Sequence, residues 1–311
     1  MLITHGARTA ALPPVALTIG NFDGVHKGHQ AMLSRLVREA GLRRLMSCVL
    51  TFEPHPQEVF APRSAPTRLT NLREKFELLS SNGIGRVQVQ RFSRAFASLP
   101  AEAFAERVIA RALGARWVLI GDDFRFGANR AGDFALLRDL GRGFGFEVEA
   151  MPTVELENRR VSSSAVRAAL AAGELASAER LLGRPYSISG RVVHGNKLGR
   201  QIGFPTANVQ MKHNRPPLMG IYAVRAHVDG RAPMPGVASL GVRPTVNSDG
   251  QAALEVHLFD YDGDLYRHHM RVEFLKKIRD EAKYPDLESL RAQIARDCEA
   301  AKAHHMERGN G

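Results

Sequence analysis

The first 150 residues alternate between short apolar runs and segments of helical periodicity, and this alternation limits the possible folds most strongly. The runs that predict strands are Val15–Gly20, Leu45–Phe52, Arg86–Gln90, Trp117–Gly121 and Phe146–Ala150. Helical patterns lie between them, near residues 28–40, 71–80, 101–113 and 132–143. This order predicts an α/β domain in which helices cover both faces of a parallel, Rossmann-like sheet. Ligands of such sheets bind beyond the carboxyl ends of the strands, so the loops after Gly20, Phe52 and Gly121 are candidate sites.

A helical stretch over residues 162–182, interrupted near Gly173, precedes a change in the character of the sequence. Gly183 stands where a left-handed helix cap is expected. We therefore predict a domain boundary there, with one domain over 1–183 and a second over 184–311.

The second half consists of short alternating segments punctuated by glycine and proline, which predicts mainly β structure in an antiparallel barrel or sandwich. The predicted strands are Ser187–His194, Ile221–Val228, Met234–Leu240, Leu254–Phe259 and Met270–Phe274. A C-terminal helix is predicted from Asp286, its N-cap, onward. We expect it to pack on the β structure through an apolar stripe of Leu287, Leu290, Ile294 and Cys298.

Composition narrows the class of protein. The 311 residues contain only two cysteines, Cys48 and Cys298, which are too few for a disulfide framework and fit no metal-binding spacing. We expect both to be buried, and a cytoplasmic location follows because the cytosol keeps thiols reduced. Met1–Pro14 lacks the apolar run of a signal peptide, and no apolar run approaches the roughly 18 residues of a membrane span.

A formal net charge of +11 favours anionic partners. Nucleic acid is one candidate, and nucleotides or phosphorylated small molecules are another. The basic residues are spread along the whole chain, and no nucleic-acid-binding motif is recognisable. We therefore expect small phosphorylated ligands, with no nucleic acid and no membrane as partners.

The strongest motif in the first half is Gly-Asn-Phe-Asp-Gly-Val-His-Lys-Gly-His over residues 20–29. It follows an apolar strand and begins a helix, whose N-terminal N–H groups favour phosphate. Glycines allow close approach of a ligand, and His26 and His29 can both face one phosphate group. The candidate phosphate- or nucleotide-binding residues of this motif are Gly20, Phe22, Asp23, Gly24 and Gly28. Two ordinary surface histidines at a helix start would be the structural alternative.

This motif resembles the His-x-Gly-His nucleotidyltransferase superfamily. Three further segments, over residues 51–56, 121–127 and 161–167, resemble the adenylyltransferase half of the bacterial bifunctional riboflavin kinase/FAD synthetase family. The resemblance implies that His26 and His29 contact nucleotide phosphates and stabilise charge as pyrophosphate leaves. Ser164 stands where that family more often has threonine, which keeps the hydroxyl.

The other two loop segments supply further candidates. Ser163, Ser164 and Arg167 lie at a second predicted helix start and can grip triphosphate oxygens, or act merely as a serine cap and a solvated arginine. Asp123 and His55 lie on loops after strands, where a role in turn formation is the alternative for Asp123.

The second half carries a glycine-rich stretch over residues 190–208 that ends in Phe-Pro-Thr-Ala-Asn. Its spaced glycines suit close approach to phosphates. Thr206 and Asn208 point to the same side of an extended segment, and their oxygens are suitable ligands for Mg²⁺. The stretch resembles the riboflavin kinase signature, in which the Pro-Thr-Ala-Asn segment binds Mg-ATP. The phosphate-binding candidates here are Gly195, Lys197, Gly199, Gly203 and Pro205.

Glu255 is the candidate general base. In its strand, Leu254, Val256 and Leu258 point one way, and Glu255 and His257 point the other. Periodicity alone favours a solvent-facing glutamate, but the segment resembles the one that carries the family's catalytic glutamate. A kinase that phosphorylates the neutral 5′-hydroxyl of riboflavin is expected to use a carboxylate to accept its proton.

Taken over residues 15–300, the resemblance implies a bifunctional enzyme of FAD biosynthesis: a nucleotidyltransferase domain followed by a β-barrel kinase domain. Its substrates and products are riboflavin, FMN, FAD and ATP, with Mg²⁺ as cofactor. Two alternatives keep the folds. In one, a single activity has been lost; in the other, the chain is a flavin-binding regulator or an RNA-binding protein. No motif is visibly broken, which argues against the first. The presence of His26, His29, Asn208 and Glu255 argues against the second, since pure binding would not need all four.

Overall fold

The computed structural model describes residues 1–6, 12–157, 159–195, 199, 202–212, 215–242 and 252–309. The chain forms two compact units. The first comprises Met1–Pro66 and Leu72–Ser162, and the second comprises Thr67–Asn71 and Ser163–Gly311. The predicted order, an α/β fold followed by mainly β structure, is confirmed.

The first unit is built on six parallel strands. They are β1 (Leu2–His5), β2 (Val15–Ile19), β3 (Met46–Glu53), β4 (Arg86–Arg91), β5 (Ala115–Gly121) and β6 (Glu147–Met151). The α-helices are α1 (Lys27–Leu42), α2 (Pro56–Phe60), α3 (Leu72–Ser81), α4 (Arg94–Ala97), α5 (Ala101–Ala103) and α6 (Phe134–Phe144). A π-helix over Phe104–Ala112, a 3₁₀ turn over Ala128–Arg130 and a hairpin of β7 (Glu155–Leu156) and β8 (Arg159–Arg160) complete it.

The sheet has the strand order β1-β4-β3-β2-β5-β6, and all its pairs are parallel. The central strand β2 is buried along its whole length, so its neighbouring side chains enter cores on opposite faces. Leu17 packs in one core with Ile109 and Leu137. Ala16 packs in the other with Leu33 of α1. The predicted cover of both faces is therefore confirmed.

Two local features of this unit were not predicted. Strand β1 extends the sheet beside β4, but its Leu2 and Ile3 are exposed and give no clear alternation. The predicted helix over 101–113 is mostly π-helical, since α5 contributes only its first turn. Among the described helices of the chain, none is long and apolar enough to cross a membrane.

The second unit contains helices α7 (Ser163–Ala171) and α8 (Leu175–Leu182). Gly173 separates them with a φ of 75°, and Gly183 caps α8 in the left-handed region with a φ of 72°. The interruption and the cap predicted from the sequence are thus confirmed. Strands β9 (Tyr186–Val193), β10 (Ala207–Gln210), β11 (Gly220–Val228), β12 (Met234–Val242), β13 (Ala252–Leu258) and β14 (His269–Arg279) follow, and then α9 (Leu287–Gly309).

The six strands close into an antiparallel barrel in the order β10-β13-β12-β11-β14-β9. Strand β10 was not identified from the sequence. The barrel core is continuous with the apolar side chains of α7 and α8, including Val166, Leu170 and Leu182. In this unit α7 and α8 therefore share one core with β9. The predicted boundary between the two functional domains at residue 183 stays a prediction.

Helix α9 packs on the outside of the barrel. The Ser289 N–H donates to the Asp286 carboxylate at 2.7 Å, which confirms Asp286 as its cap. Ile294 and Cys298 pack near Val237 of β12. Leu287 was wrongly placed in the apolar stripe, because it lies in the first turn and is 56% exposed. Both cysteines are buried and free, as predicted.

Candidate active sites

The turn after β2 holds an unusual backbone. Phe22 and Val25 have φ values of 47° and 41°, and Gly24 has a φ of 81°. Left-handed φ is unfavourable for a β-branched residue such as Val25. Phe22, Asp23, Gly24 and Val25 are nevertheless buried, so packing holds the turn in this form. Strain of this kind concentrates at functional sites, where it fixes the shape of a binding loop.

His26 and His29 are brought together at the start of α1, as predicted. The Nδ1 atom of His26 accepts from the backbone N–H of His29 at 3.3 Å and caps the helix. The two rings stack with centroids 3.7 Å apart. A Cβ on Gly28 would lie 3.2 Å from the His26 ring, so glycine leaves room for this packing.

His29 is a neutral ring in this environment. Burial lowers its pKa well below 6.5, and the charges of His26 and Lys75 lower it further. Its Nδ1 atom is buried and has no hydrogen-bond partner among the residues that the structure describes. His29 can therefore act as a neutral hydrogen-bonding group towards a ligand, and it does not supply a fixed positive charge.

Lys75 supplies a positive charge to the same region. It lies on α3, is only 4% exposed, and its ammonium donates to Thr51 Oγ1 at 3.4 Å. The Thr51 hydroxyl in turn donates to the Asn21 carbonyl at 3.2 Å. Burial of an ammonium group costs free energy. We therefore include Lys75, which lies beside the turn over residues 20–29, among the residues of the candidate site.

The loops after β3 and β5 show local structural roles for two candidates. Asp123 is exposed and forms an ion pair with Arg160 of β8. His55 caps α2, with its Nδ1 accepting from the Gln57 N–H at 3.2 Å, while Glu58 completes the capping box. Both residues follow the carboxyl ends of strands, as predicted.

A row of phenylalanines lines the carboxyl end of the first-unit sheet. Consecutive ring centroids along the row are 5.6–6.0 Å apart. The row comprises Phe52, Phe92, Phe96, Phe104, Phe126 and Phe124, and the exposed Phe60 packs on Phe92 at 5.7 Å. We call it the phenylalanine wall. Several of its rings are partly exposed, so it offers an apolar surface to a flat ligand.

The candidates Ser163, Ser164 and Arg167 lie on α7 and belong to the second unit. Ser163 is the first residue of that helix, and Ser164 is exposed. The Arg167 guanidinium is partly buried, and its Nε donates to the Thr67 carbonyl at 2.6 Å. The second unit thus contains these three residues, whereas His26 and His29 lie in the first.

The barrel brings the kinase candidates together on its outer surface. Asn208 of β10 pairs with Glu255 of β13, and Glu255 pairs with Ser239 of β12. Residues directly opposite each other on neighbouring strands share a face, so the three side chains form one polar row. The intervening Leu254 and Val256 are in the barrel core, which confirms the predicted alternation.

The glycine-rich stretch packs closely on this row. A Cβ on Gly195 would lie 2.2 Å from the Asn208 amide nitrogen, so any larger residue there would displace the Asn208 side chain. A Cβ on Gly199 would lie 3.3 Å from Thr206 Oγ1. His257 Nδ1 lies 2.8 Å from the Pro205 carbonyl and supports the segment that presents Thr206. Lys197 lies outside the described residues, while Gly203 has a left-handed φ of 89°.

A cavity of about 300 Å³ opens between this face of the barrel and α9. Thr206, Ser239 and Glu255 line its polar side. Its apolar lining comes from Ile202, Phe204, Ile221, Val237, Leu290 and Ile294. The arrangement places a carboxylate and two hydroxyls beside a space that suits a flat apolar ring.

Comparison with known proteins matches each half of the chain to an enzyme family. A family model described as FAD synthetase matches residues 9–165, and one described as riboflavin kinase matches residues 182–305. The bifunctional riboflavin kinase/FMN adenylyltransferase of Pseudomonas fluorescens is 50% identical over 92% of this chain and 91% of its own. The chain belongs to the bifunctional riboflavin kinase/FMN adenylyltransferase family.

Other relatives agree over nearly the full length. The Escherichia coli K12 family member is 49% identical over 94% of this chain and 93% of its own. The Haemophilus influenzae member is 46% identical, with coverage of 97% and 99%. A crystal structure from Streptococcus pneumoniae, described as a macrolide-efflux protein, has 30% identity and a TM-score of 0.80 over 96% of this chain and 97% of that one.

Sequence reasoning missed several residues that the structure places in these two candidate sites. Lys75 reads as an ordinary helix lysine, and only the tertiary structure shows that it is buried. Ser239 gave no signal of its own, although its strand alternates. Arg279 and Asp297 form a bidentate ion pair beside the cavity, and neither was singled out. The two residues are 18 positions apart, one at the end of a strand and one on a helix, so no local sequence pattern predicts the ion pair.

Proposed function

We propose that this chain phosphorylates riboflavin with ATP to give FMN and ADP, and then adenylylates FMN with a second ATP to give FAD and pyrophosphate. The observation that carries the proposal is the presence of a separate polar site in each of the two units, in halves that match the two enzyme families.

The kinase step needs a group that accepts a proton from the ribityl 5′-hydroxyl. Glu255 lines the cavity and projects from the same face as Asn208. In the proposed mechanism its carboxylate takes the hydroxyl proton, the alkoxide oxygen attacks the γ-phosphorus of ATP, and ADP leaves. The flavin ring occupies the apolar part of the cavity against α9.

Thr206 and Asn208 fit the proposed Mg²⁺ role in their chemistry, because both carry hard oxygen donors on one face of β10 and the segment before it. Among the described residues, no group of three or more His, Cys, Asp or Glu side chains forms a protein-only metal cage. Thr206 and Asn208 would hold the ion together with ATP phosphates, since Mg²⁺ in phosphoryl-transfer sites typically uses few protein ligands. The ion would neutralise charge on the phosphates. Gly195, Gly199, Gly203, Pro205 and Lys197 are the proposed phosphate contacts.

The adenylyl step needs no general base, because the attacking oxygen belongs to the already ionised phosphate of FMN. It attacks the α-phosphorus of ATP, and pyrophosphate leaves. The neutral ring of His29, the ring of His26 and the N-terminus of α1 would donate to phosphate oxygens, and Lys75 would provide the positive field. The turn residues Gly20, Phe22, Asp23, Gly24 and Gly28 shape the phosphate site.

Four further residues stay candidates for nucleotide binding. Asp123 belongs to the first unit. Ser163, Ser164 and Arg167 belong to the second, and we propose that they bind triphosphate oxygens. The phenylalanine wall would receive the isoalloxazine ring of FMN, since stacked and edge-on aromatic contacts favour a flat heterocycle. Two free, buried cysteines are consistent with a cytoplasmic location. The proposed partners are small-molecule substrates, without nucleic acid or membrane.

The test is to incubate the purified full chain with ATP and Mg²⁺, once with riboflavin and once with FMN, and to separate the flavins by chromatography. We expect FMN and then FAD from riboflavin, and FAD from FMN. If only one reaction occurs, one activity has been lost. If flavin binds but neither reaction occurs, the chain is a binding protein and the proposal fails.

A further inference from the structure

The cavity beside Glu255 has one cationic side chain among its described lining residues, Arg279 at the end of β14. Its Nε donates to the Asp297 carboxylate at 2.8 and 3.1 Å, and its Nη2 donates at 2.6 Å. Asp297 is on α9 and is only 3% exposed. The bidentate pair thus joins the barrel to the helix that forms the opposite wall.

Asp297 has its acceptors engaged by protein groups. Besides Arg279, the Gln293 amide donates to its Oδ1 atom at 2.9 Å. The carboxylate is therefore satisfied within the protein and has little capacity left for a ligand. Its effect is to hold the guanidinium in one orientation, since fork-to-fork pairs have defined geometry.

Arg279 lines the cavity and retains donors that its hydrogen bonds to Asp297 and Asp280 do not use. A guanidinium has five N–H groups. One is used at Nε, one at Nη2, and one at Nη1, which donates to the Asp280 carbonyl at 2.9 Å. Two N–H groups are left without a partner among the described residues, in a side chain that is 22% exposed and lines the cavity.

Riboflavin carries hydrogen-bond acceptors that these N–H donors can bind. The proposed function puts its flat ring in the apolar part of the cavity, and the pyrimidine edge of that ring carries two carbonyl oxygens. Carbonyl oxygens inside a pocket need donors, because their hydration is lost on binding. We propose that Arg279 binds a carbonyl oxygen on this edge and thereby selects the isoalloxazine ring, with Asp297 as its positioning residue. The proposal rests on the proposed riboflavin kinase activity.

Two variants test it in the full chain. Arg279→Lys keeps the charge and can keep the ion pair, but it removes the planar fork. Asp297→Asn keeps the shape of the partner and removes its charge.

Loss of a charge-assisted hydrogen bond typically weakens binding about 10- to 100-fold. We therefore expect the KM for riboflavin to rise by about 10-fold or more in each variant. The KM for ATP should stay within about twofold of the wild-type value, since the phosphate segments are untouched. Glu299→Gln, an exposed α9 change, is the matched control.

A direct binding measurement separates the ring from the ribityl chain. The Kd values of riboflavin and of lumiflavin, which has the ring but not the ribityl chain, are measured by quenching of flavin fluorescence. We expect Arg279→Lys to weaken both by the same factor. Weakening of riboflavin alone would overturn the proposal in favour of a ribityl contact.

Other results are equally decisive. A KM for riboflavin within twofold of the wild-type value in Arg279→Lys would refute the contact, even if Asp297→Asn has unfolded. A wild-type chain that forms no FMN would refute the proposed function instead, and fluorescence titration would still report whether Arg279 contacts the ring.

Discussion

Replacement of Glu255 by glutamine is the perturbation that tests the kinase chemistry most sharply. Glutamine keeps the shape and the hydrogen-bonding oxygen of the side chain, but it cannot accept the ribityl proton. Glu255 lies on the outer face of the barrel between Asn208 and Ser239, and the core side chains of its strand are unaffected. The change should therefore act on the reaction more than on the fold.

The expected size follows from the role. General-base catalysis contributes about 10²- to 10⁴-fold, which corresponds to about 2.7–5.4 kcal/mol in the activation free energy. The KM values for riboflavin and Mg-ATP should change little, because the apolar cavity and the two oxygen ligands remain. FAD formation from supplied FMN should be near normal, since its phosphate nucleophile needs no base.

The assay consists of two reactions on one purified variant, started from riboflavin or from FMN, with flavins separated by chromatography. Glu299→Gln makes the same chemical change at an exposed position of α9 and serves as the control. An equal loss in both reactions of Glu255→Gln would indicate misfolding. A riboflavin kinase rate within a few-fold of wild type would show that Glu255 is an ordinary strand glutamate and would refute the mechanism.

The structure leads to four further predictions. The pKa of His29 in the folded chain lies well below 6.5, so on acidification the unfolded chain takes up the imidazole proton before the folded chain does. The free energy of unfolding should therefore fall as the pH drops below about 6.5, and thermal unfolding of His29→Gln should show a smaller fall. Removal of the nearby positive charge in Lys75→Met should raise the pKa of His29, measured by NMR titration of the imidazole; an unchanged pKa would contradict the coupling. Gly195→Ala should reduce FMN formation at least about 10-fold, because its Cβ would displace the amide of Asn208; wild-type kinetics would show that the contact is dispensable. A fragment of residues 163–311 should unfold at a higher temperature than one of residues 184–311, which lacks α7 and α8 from the shared core; equal melting temperatures would refute that contribution.

The sequence predicted those parts of the fold that depend on local periodicity. Strands β2 and β5 are buried runs bounded by turns, and the alternation around Glu255 places it outside the barrel as expected. Gly173 and Gly183 marked the helix ends because left-handed φ favours glycine. Strand β10 is short and follows glycines and a proline, so its own pattern was too weak to identify it.

The sites were predicted only where a local motif carries them. His26 and His29 lie three positions apart, so the start of one helix brings them together. Lys75 reaches the same region from another helix, and Arg279 meets Asp297 across a strand and a helix. Such pairs depend on tertiary packing, which periodicity and spacing do not encode.

In the proposed function, two independent residue sets in one chain perform successive reactions, and mixing two variants distinguishes them. Starting from riboflavin, ATP and Mg²⁺, His29→Ala should accumulate FMN with little FAD, and Glu255→Gln should form little of either. Mixed in one reaction, the two variants should restore FAD synthesis, because FMN released by the first is adenylylated by the second. If the mixture makes no more FAD than the two variants do separately, although Glu255→Gln converts supplied FMN, the two steps are not carried by independent sites.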